Sequence, residues 1–355
     1  MRLSFLNSST ISEQNLRTVL AGDSAIDFMR LEIPNIESAN NFIHAYGYNT
    51  TRSEDIEELW GVHRKAVSVL REHLLEEDEK IPDELADPSL LGEVGNLLVL
   101  ASQKTESMAE KQKWACAILK VMHAYTHVKN DLFSQFSDQI QDQILRRFKN
   151  HIIEDPAFGI RLGSGDDTIS LHKFEVKPFK RSSSSVIKLL SKKNAVAFNL
   201  LDRLGLRFIT KNIYDSFRTI DYLLKENIVS FPNVMPEQSH NNLYPVNLLL
   251  EVIRDHPGAE NINQILQQKL VDSESRAEFK VKENEFSGSN YKFMKFISRQ
   301  LIEVELGGKT IHFFFPFEVQ VLDYETYISN LSGPEAHEQY KKRQKAAARL
   351  RVFGK

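Results

Sequence analysis

The sequence predicts an α/β (α+β) protein made of a helical N-terminal domain and a mixed-sheet domain, and three observations carry that reading. Apolar residues recur at helical spacing through the first 150 residues. At Asp155-Pro156 the pattern passes to short β-like runs separated by polar turns. Late in the chain two strand-like runs are joined by Gly307-Gly308-Lys309, a hairpin connection. The boundary is placed at this change of texture, giving domains 1–154 and 155–355.

In the helical part, Ser12 to Leu20 opens on a capping serine and ends near Gly22. A second helix starts at Ser53 and runs through Val67 to Leu75. The acidic run Glu76-Glu-Asp-Glu79, followed by Pro82 and Pro88, reads as a linker or turn. Between Glu110 and Lys129, Trp114, Ala117, Ile118, Val121 and Met122 fall at the spacing of a long buried helix. Gln135 to His151 is a further amphipathic helix. His123, His127 and Asp131 share one helix face, an arrangement open both to a hydrogen-bonded polar interface and to a metal site; the glutamate of the zincin pattern is missing.

In the second part the strand candidates are Phe174–Val176, Leu206–Ile209, Phe279–Val281, Tyr291–Ile297, Leu301–Leu306 and Ile311–Val321. Helices interleave at Ser185–Asp202, Ile213–Glu226 and Ala259 to about Gln268. Strands alternating with helices, plus one hairpin, require a mixed sheet.

Composition narrows the function. A chain of 355 residues exceeds what one core supports, and its single cysteine, Cys116, cannot close an internal disulfide, which fits a reducing cytoplasm. The N-terminal residues lack the shape of a signal peptide and no run of 18 apolar residues occurs, so no membrane partner is expected. A net charge of −3 argues against non-specific nucleic-acid binding by the whole chain, and no DNA partner is expected. The basic residues are nonetheless concentrated: residues 173–193 hold seven Lys/Arg against one Glu, and 341–355 hold seven with no acid.

Three stretches carry candidate chemistry. In the first, Lys177, Lys180, Arg181, Ser184 and Lys188 lie where a strand leads through a serine run into a helix. Cations, hydroxyls and helix N–H groups suit a polyphosphate, although a solvated basic loop uses the same residues. In the second, Asp202 precedes a buried strand that carries Arg207; a carboxylate at a sheet rim can hold magnesium, and the arginine can meet a phosphate or the carboxylate. In the third, Glu318 and Gln320 share one face of a strand whose Phe317, Val319 and Val321 face the core. Glu318 can be a second magnesium carboxylate, or the base that takes a proton from an attacking hydroxyl.

In order and kind, these stretches resemble the RelA/SpoT-type nucleotide pyrophosphokinase domain, which makes guanosine penta- and tetraphosphate alarmones. The likeness covers roughly residues 155–345 and includes Gly288-Ser-Asn-Tyr291, Glu318-Val-Gln320 and Glu335-Ala-His337-Glu-Gln-Tyr340-Lys341. It implies a nucleotidyltransferase-like fold and transfer of a pyrophosphoryl group from ATP to a nucleotide, guanosine by resemblance, or to an RNA hydroxyl. It implies magnesium on Asp202 and Glu318, donor phosphates on Lys177, Lys180, Arg181, Ser184, Lys188 and Arg207, and the acceptor on Tyr291, Lys292, Gln320, His337 and Lys341. The chain departs from the family after the Glu-x-Gln strand, where Val321-Leu-Asp323 stands for Ile-Arg-Thr, and after Tyr291, where Lys292 and Lys295 replace the usual residues. It has no His-Asp dipeptide, so a synthetase without the hydrolase domain is implied. The alternative is a catalytically degenerate nucleotide-binding regulatory module whose helical domain reports occupancy to a protein partner. The basic C-terminal stretch is open to a solvated helix end or to contact with substrate phosphates or RNA.

Overall fold

The computed structural model describes residues 20, 24–129, 132–157, 159–165, 168–177, 179, 182–192, 201–281, 286, 291–331 and 337–354. In chain order the main elements are α1 (Ile36–Tyr46), α2 (Ser53–Val69), α3 (Gly95–Ala101), α4 (Ala109–Lys129), α5 (Ser137–Lys149), β1 (Ile152–Asp155), β2 (Gly159–Leu162), β3 (Ile169–Lys177), α6 (Ser182–Ser191), β4 (Gly205–Thr210), α7 (Ile213–Lys225), β5 (His240–Asn241), α8 (Val246–Asp255), α9 (Ile262–Asp272), β6 (Met294–Leu306), β7 (Lys309–Asp323), α10 (Tyr324–Leu331) and α11 (His337–Phe353). The chain divides into two compact units that are discontinuous in sequence. One comprises residues 1–131, 181–197 and 342–355, the other 132–180 and 198–341. The division expected at 154/155 falls instead within a hairpin, because Asp155 pairs with Gly159. Proline at 156 marks a turn there.

The first unit is helical. The helix expected from Ser53 forms as α2 and continues as a π-helical turn, Leu70–Leu74. Helix α4 buries Trp114, Ala117, Ile118, Val121 and Met122, as the spacing requires. The C-terminal part of α11 belongs to this unit, and its cations have internal partners. Arg349 makes a two-pronged pair with Glu79 at 2.7 Å on each oxygen. Arg351 donates to Asp27 Oδ1 at 2.7 Å and to the carbonyls of Leu189 and Leu190 at 3.3 and 2.9 Å. Neither of these two arginines is a merely solvated charge. The expected helix over Ser12–Leu20 lies outside the described residues except for Leu20, and so does Asp131.

The second unit is built on a seven-stranded sheet of order β1-β2-β3-β4-β7-β6-β5. Strands β4 and β7 are parallel; the other neighbours are antiparallel. The turn Gly307-Gly308 has positive φ at both residues, 58° and 75°, which only glycine adopts cheaply and which suits a tight hairpin. Pairing then runs unbroken from Leu306↔Lys309 to Met294↔Val321. The two runs read as separate strands, up to Ile297 and from Leu301, are therefore one strand. Two of the three polar residues between them are taken inside: Ser298 and Gln300 are buried while Arg299 is exposed, and Gln300 donates to the Gln143 carbonyl at 3.1 Å.

One face of this sheet carries the core. Leu206, Phe208, Phe317, Val319 and Val321 are buried, and Phe148 of α5 meets the rings of Phe208 and Phe317 at 6.2 and 5.9 Å. The stretch between β4 and β6, rich in proline, forms α8 and α9 around a small core of Tyr244, Leu248, Leu249, Val252, Ile262 and Leu266. Phe279–Val281 forms no strand; Lys280 makes an isolated bridge to Asn241. Among the described residues, no helix is long and apolar enough to cross a membrane.

Candidate functional site

The face of the sheet opposite the main core carries a row of charges across four strands. Alternation places Glu318 and Gln320 of β7 on that face, because their neighbours Phe317, Val319 and Val321 point into the core. Register supplies the rest. On β4, Gly205 sits beside Glu318 and Arg207 beside Gln320; on β3, Lys177 pairs with Gly205 and Glu175 with Arg207; on β6, Lys295 pairs with Gln320.

The side chains meet as the register requires. Lys177 Nζ donates to Gln320 Oε1 at 3.0 Å and lies 3.7 Å from Glu318 Oε1. Lys295 Nζ donates to the other carboxylate oxygen, Glu318 Oε2, at 3.1 Å. Arg207 donates through Nε to Gln320 Oε1 at 2.9 Å and through Nη1 to Glu175 Oε2 at 3.3 Å. Lys173 closes the row on Glu175 Oε1 at 2.7 Å. Gly205 sits close against this row: a Cβ there would stand 3.3 Å from Lys177 Cδ.

Glu318 is 8% exposed, so its charge is held where water screens it poorly. Burial pushes the Lys295 ammonium down, but Glu318 outweighs it, with Asp202 and Tyr340 adding, and the net shift is upward. Glu175 is likewise opposed by burial and held below its ordinary value by Lys173, Arg207 and Lys177. Counting Lys173, Lys177, Arg207 and Lys295 against Glu175, Glu318 and Asp202 leaves one positive charge in excess. Asp202 lies two residues before Leu204, whose carbonyl accepts the Glu318 N–H at 2.9 Å. The structure thus brings Lys177, Arg207, Glu318 and Gln320 together, with Asp202 within electrostatic reach of Lys295.

Tyr291 and Lys292 lie directly ahead of β6. Two buried or half-buried amides fix this segment: Asn242 donates to the Tyr291 carbonyl at 2.7 Å and accepts the Phe293 N–H at 2.8 Å. Asn330 accepts from the Lys292 N–H at 3.1 Å and donates to its carbonyl at 2.8 Å. The Tyr291 ring rests 5.2 Å from that of Phe293, and the Lys292 side chain is exposed. Lys341 is exposed on α11, and Tyr340 meets the Phe286 ring edge-on at 6.2 Å. Ser184 and Lys188 are on α6, in the helical unit. Lys180, Arg181, the Gly288-Ser-Asn turn and the His337 side chain lie outside the described residues.

Sequence reasoning passed over Glu175, Asn242 and Asn330, and noted Lys295 only as a departure from the family. The hairpin turn contained the signal for Lys295: counting pairs outward from Gly307-Gly308 puts it opposite Gln320. Glu175 was within reach too, two residues before Lys177 on the same strand face. Nothing in the local sequence marks Asn242 or Asn330, whose partners are 49 and 38 residues away.

No family model matches the chain, and no curated protein does. Among solved structures, the fold is similar to small alarmone synthetase 1 from Bacillus subtilis bound to its product pppGpp, at 13% identity over 51% of this chain and 73% of that one, with a TM-score of 0.25. A GTP pyrophosphokinase family protein from Streptococcus pneumoniae matches at 12% identity over 64% and 84%, TM-score 0.23. Small alarmone synthetase 2 from Bacillus subtilis matches at 14% identity over 62% and 91%, TM-score 0.26. With scores this low, the functional reading rests on the residues of the site.

Proposed function

We propose that the charged sheet face binds ATP and transfers its pyrophosphoryl group to the hydroxyl of a nucleotide, guanosine by resemblance, or of RNA. The observation that carries this reading is the convergence of Lys177, Arg207 and Lys295 on the side-chain oxygens of Glu318 and Gln320. Such oxygens sit on flexible stems, so phosphate oxygens can take their place, and an arginine fork matches them well. Transfer of this kind depends on positioning and charge neutralisation more than on a nucleophilic side chain.

Chemically, the acceptor oxygen attacks the β-phosphorus, the bond from that phosphorus to the α-phosphate oxygen breaks, and AMP leaves with the electron pair. Glu318 takes the hydroxyl proton. Lys177, Arg207 and Lys295 then face the charge that develops on the phosphates. The donor set suits a hard cation: among the described residues no three His, Cys, Asp or Glu side chains form a complete cage, while Asp202 and Glu318 offer the one or two carboxylates that magnesium combines with phosphate oxygens. Magnesium, if held there, would supply further charge neutralisation. Of the two lysines that face Glu318, Lys177 is the farther, at 3.7 Å, and its side chain is 40% exposed, so it would be the one to give way.

A second reading is favoured by a specific feature. Each oxygen of Glu318 faces a lysine, which suits a locked ion pair in a nucleotide-binding module without turnover as well as a base awaiting substrate. Incubation with magnesium and γ-labelled ATP plus GDP, GTP, AMP, ADP or bulk tRNA separates the two. Label moving to an acceptor, and failing to move in Asp202→Ala and Glu318→Ala, supports transfer and names the acceptor class. Nucleotide binding with no transfer supports the regulatory module.

A further inference from the structure

We propose that the apolar pocket of the helical unit is a binding site for a small, uncharged, ring-sized molecule. This is independent of the reading given to the charged sheet face. The pocket has a volume of about 150 Å³, and an enclosed cavity of that size lined by aliphatic and aromatic side chains takes up a benzene ring. Its deep wall includes Ile43, Leu59, Leu98 and Met122, from four different helices. Close-packed interiors leave few voids larger than a water molecule, so a space this large forfeits dispersion contacts that an occupant restores. It has a mouth: Phe42 and Tyr46 at its edge are 46% and 39% exposed.

The polar groups in the wall decide the ligand class. Among the described residues Lys120 is the one formal cation there, and its three donors have partners: the carbonyls of Arg351 and Val352 at 2.8 and 3.1 Å, and Met29 Sδ at 3.5 Å. His123 Nδ1 is engaged with Tyr46 Oη at 2.8 Å. Cys116 Sγ donates to the Met29 carbonyl at 3.3 Å. Among the described residues the wall holds no carboxylate. Burial, with His127 adding, pushes His123 down to about 4, and burial pushes the Cys116 thiol up to about 11, so both are neutral at neutral pH. An anionic ligand finds no spare donor on Lys120, and a cationic one finds no counter-charge.

The test uses the full chain with benzene, indole, benzoate and benzylammonium as probes, their binding followed by saturation-transfer NMR and by titration. Saturable binding of benzene and indole is expected, with benzoate and benzylammonium at least tenfold weaker. Leu98→Phe fills the deep end and Leu119→Phe the wall nearer solvent; each should weaken benzene binding at least tenfold. Either variant that retains the wild-type circular dichroism spectrum serves. Absence of saturable binding by both neutral rings overturns the proposal, as does benzoate or benzylammonium binding as tightly as benzene. Binding that survives a folded filling variant overturns it too.

Discussion

Two buried cations of the helical unit are partnered differently from the cations of the sheet face, and the difference separates binding from architecture. In the sheet unit, Lys177, Arg207 and Lys295 meet oxygens on the side chains of Glu318, Gln320 and Glu175. In the helical unit, Lys120 and Arg351 meet mainly backbone carbonyls: Lys120 those of Arg351 and Val352, Arg351 those of Leu189 and Leu190. A carbonyl at a helix end is fixed by the helix, and a buried donor that leaves it strands both groups. A side-chain oxygen can turn on its own stem, and the lysines that face Glu318 are 40% and 29% exposed, so a phosphate can take its place beside them. The sheet cluster is therefore exchangeable and the helical cluster is not.

The most demanding challenge to this contrast is Glu318→Gln. It preserves shape and removes the charge, so pyrophosphoryl transfer should fall by about 10²–10⁴-fold, the usual contribution of a general base. The unfolding midpoint in urea should hardly move, because the Lys177 and Lys295 side chains are 40% and 29% exposed and regain water. Unchanged transfer would remove Glu318 from the chemistry. Arg351→Ala should show the reverse pattern. It leaves the Leu189 and Leu190 carbonyls and Asp27 without a donor that is only 8% exposed, so stability to urea should drop by about 3 kcal/mol. Arg351→Lys should recover only part, since a point charge cannot serve three acceptors in a planar fork. A loss below about 1 kcal/mol would place Arg351 with the exchangeable cations.

How much of this was legible follows from the length scale of each signal. The alternation of Phe317, Val319 and Val321 with Glu318 and Gln320 is local, and it oriented the site face before any strand was paired. The role of Arg351 is not local: its partners lie more than 160 residues away, and a basic helix end reads the same whether buried or solvated. Val352 and Phe353 beside it, both buried, were the available hint. Asp155-Pro156 read as a domain boundary because the helical pattern gives way there to short β-like runs, yet Asp155 ends β1 and Pro156 opens the turn of the β1–β2 hairpin. Helix α8 was missed because Pro245 stands at its entry, where proline is tolerated.

Acid should discriminate the units more gently. His123 titrates at about 4 in the folded chain because burial and His127 disfavour its charged form, against about 6.5 unfolded. Between those values the unfolded chain binds more protons, so stability rises with pH. The contribution is complete above about pH 6.5 and lost as pH falls through about 4. A chemical denaturation series from pH 7 to 4 should lose about 3 kcal/mol in the helical unit from this group, and His123→Phe should flatten that part of the profile. A profile as steep in His123→Phe as in the parent would assign the loss elsewhere.

The smallest expected effect tests whether exchangeability depends on the Lys177 position. Gly205 pairs with Lys177 on one side and lies beside Glu318 on the other. The added methyl of Gly205→Ala would stand 3.3 Å from Lys177 Cδ, close enough to displace a flexible side chain by a few tenths of an ångström without disturbing backbone. Alanine loses less backbone freedom on folding than glycine, so stability should rise by about 0.5 kcal/mol. The displaced ammonium moves relative to Gln320 and Glu318, so the KM for ATP should rise about threefold, for roughly 0.6 kcal/mol of weakened donor binding, with kcat nearly unchanged. A stabilised protein with a poorer donor site would show that Gly205 is kept for the lysine beside it. A stabilised protein with an unaltered KM would instead show that Lys177 finds its phosphate partner from either position, and that the cluster's cations are set by reach alone.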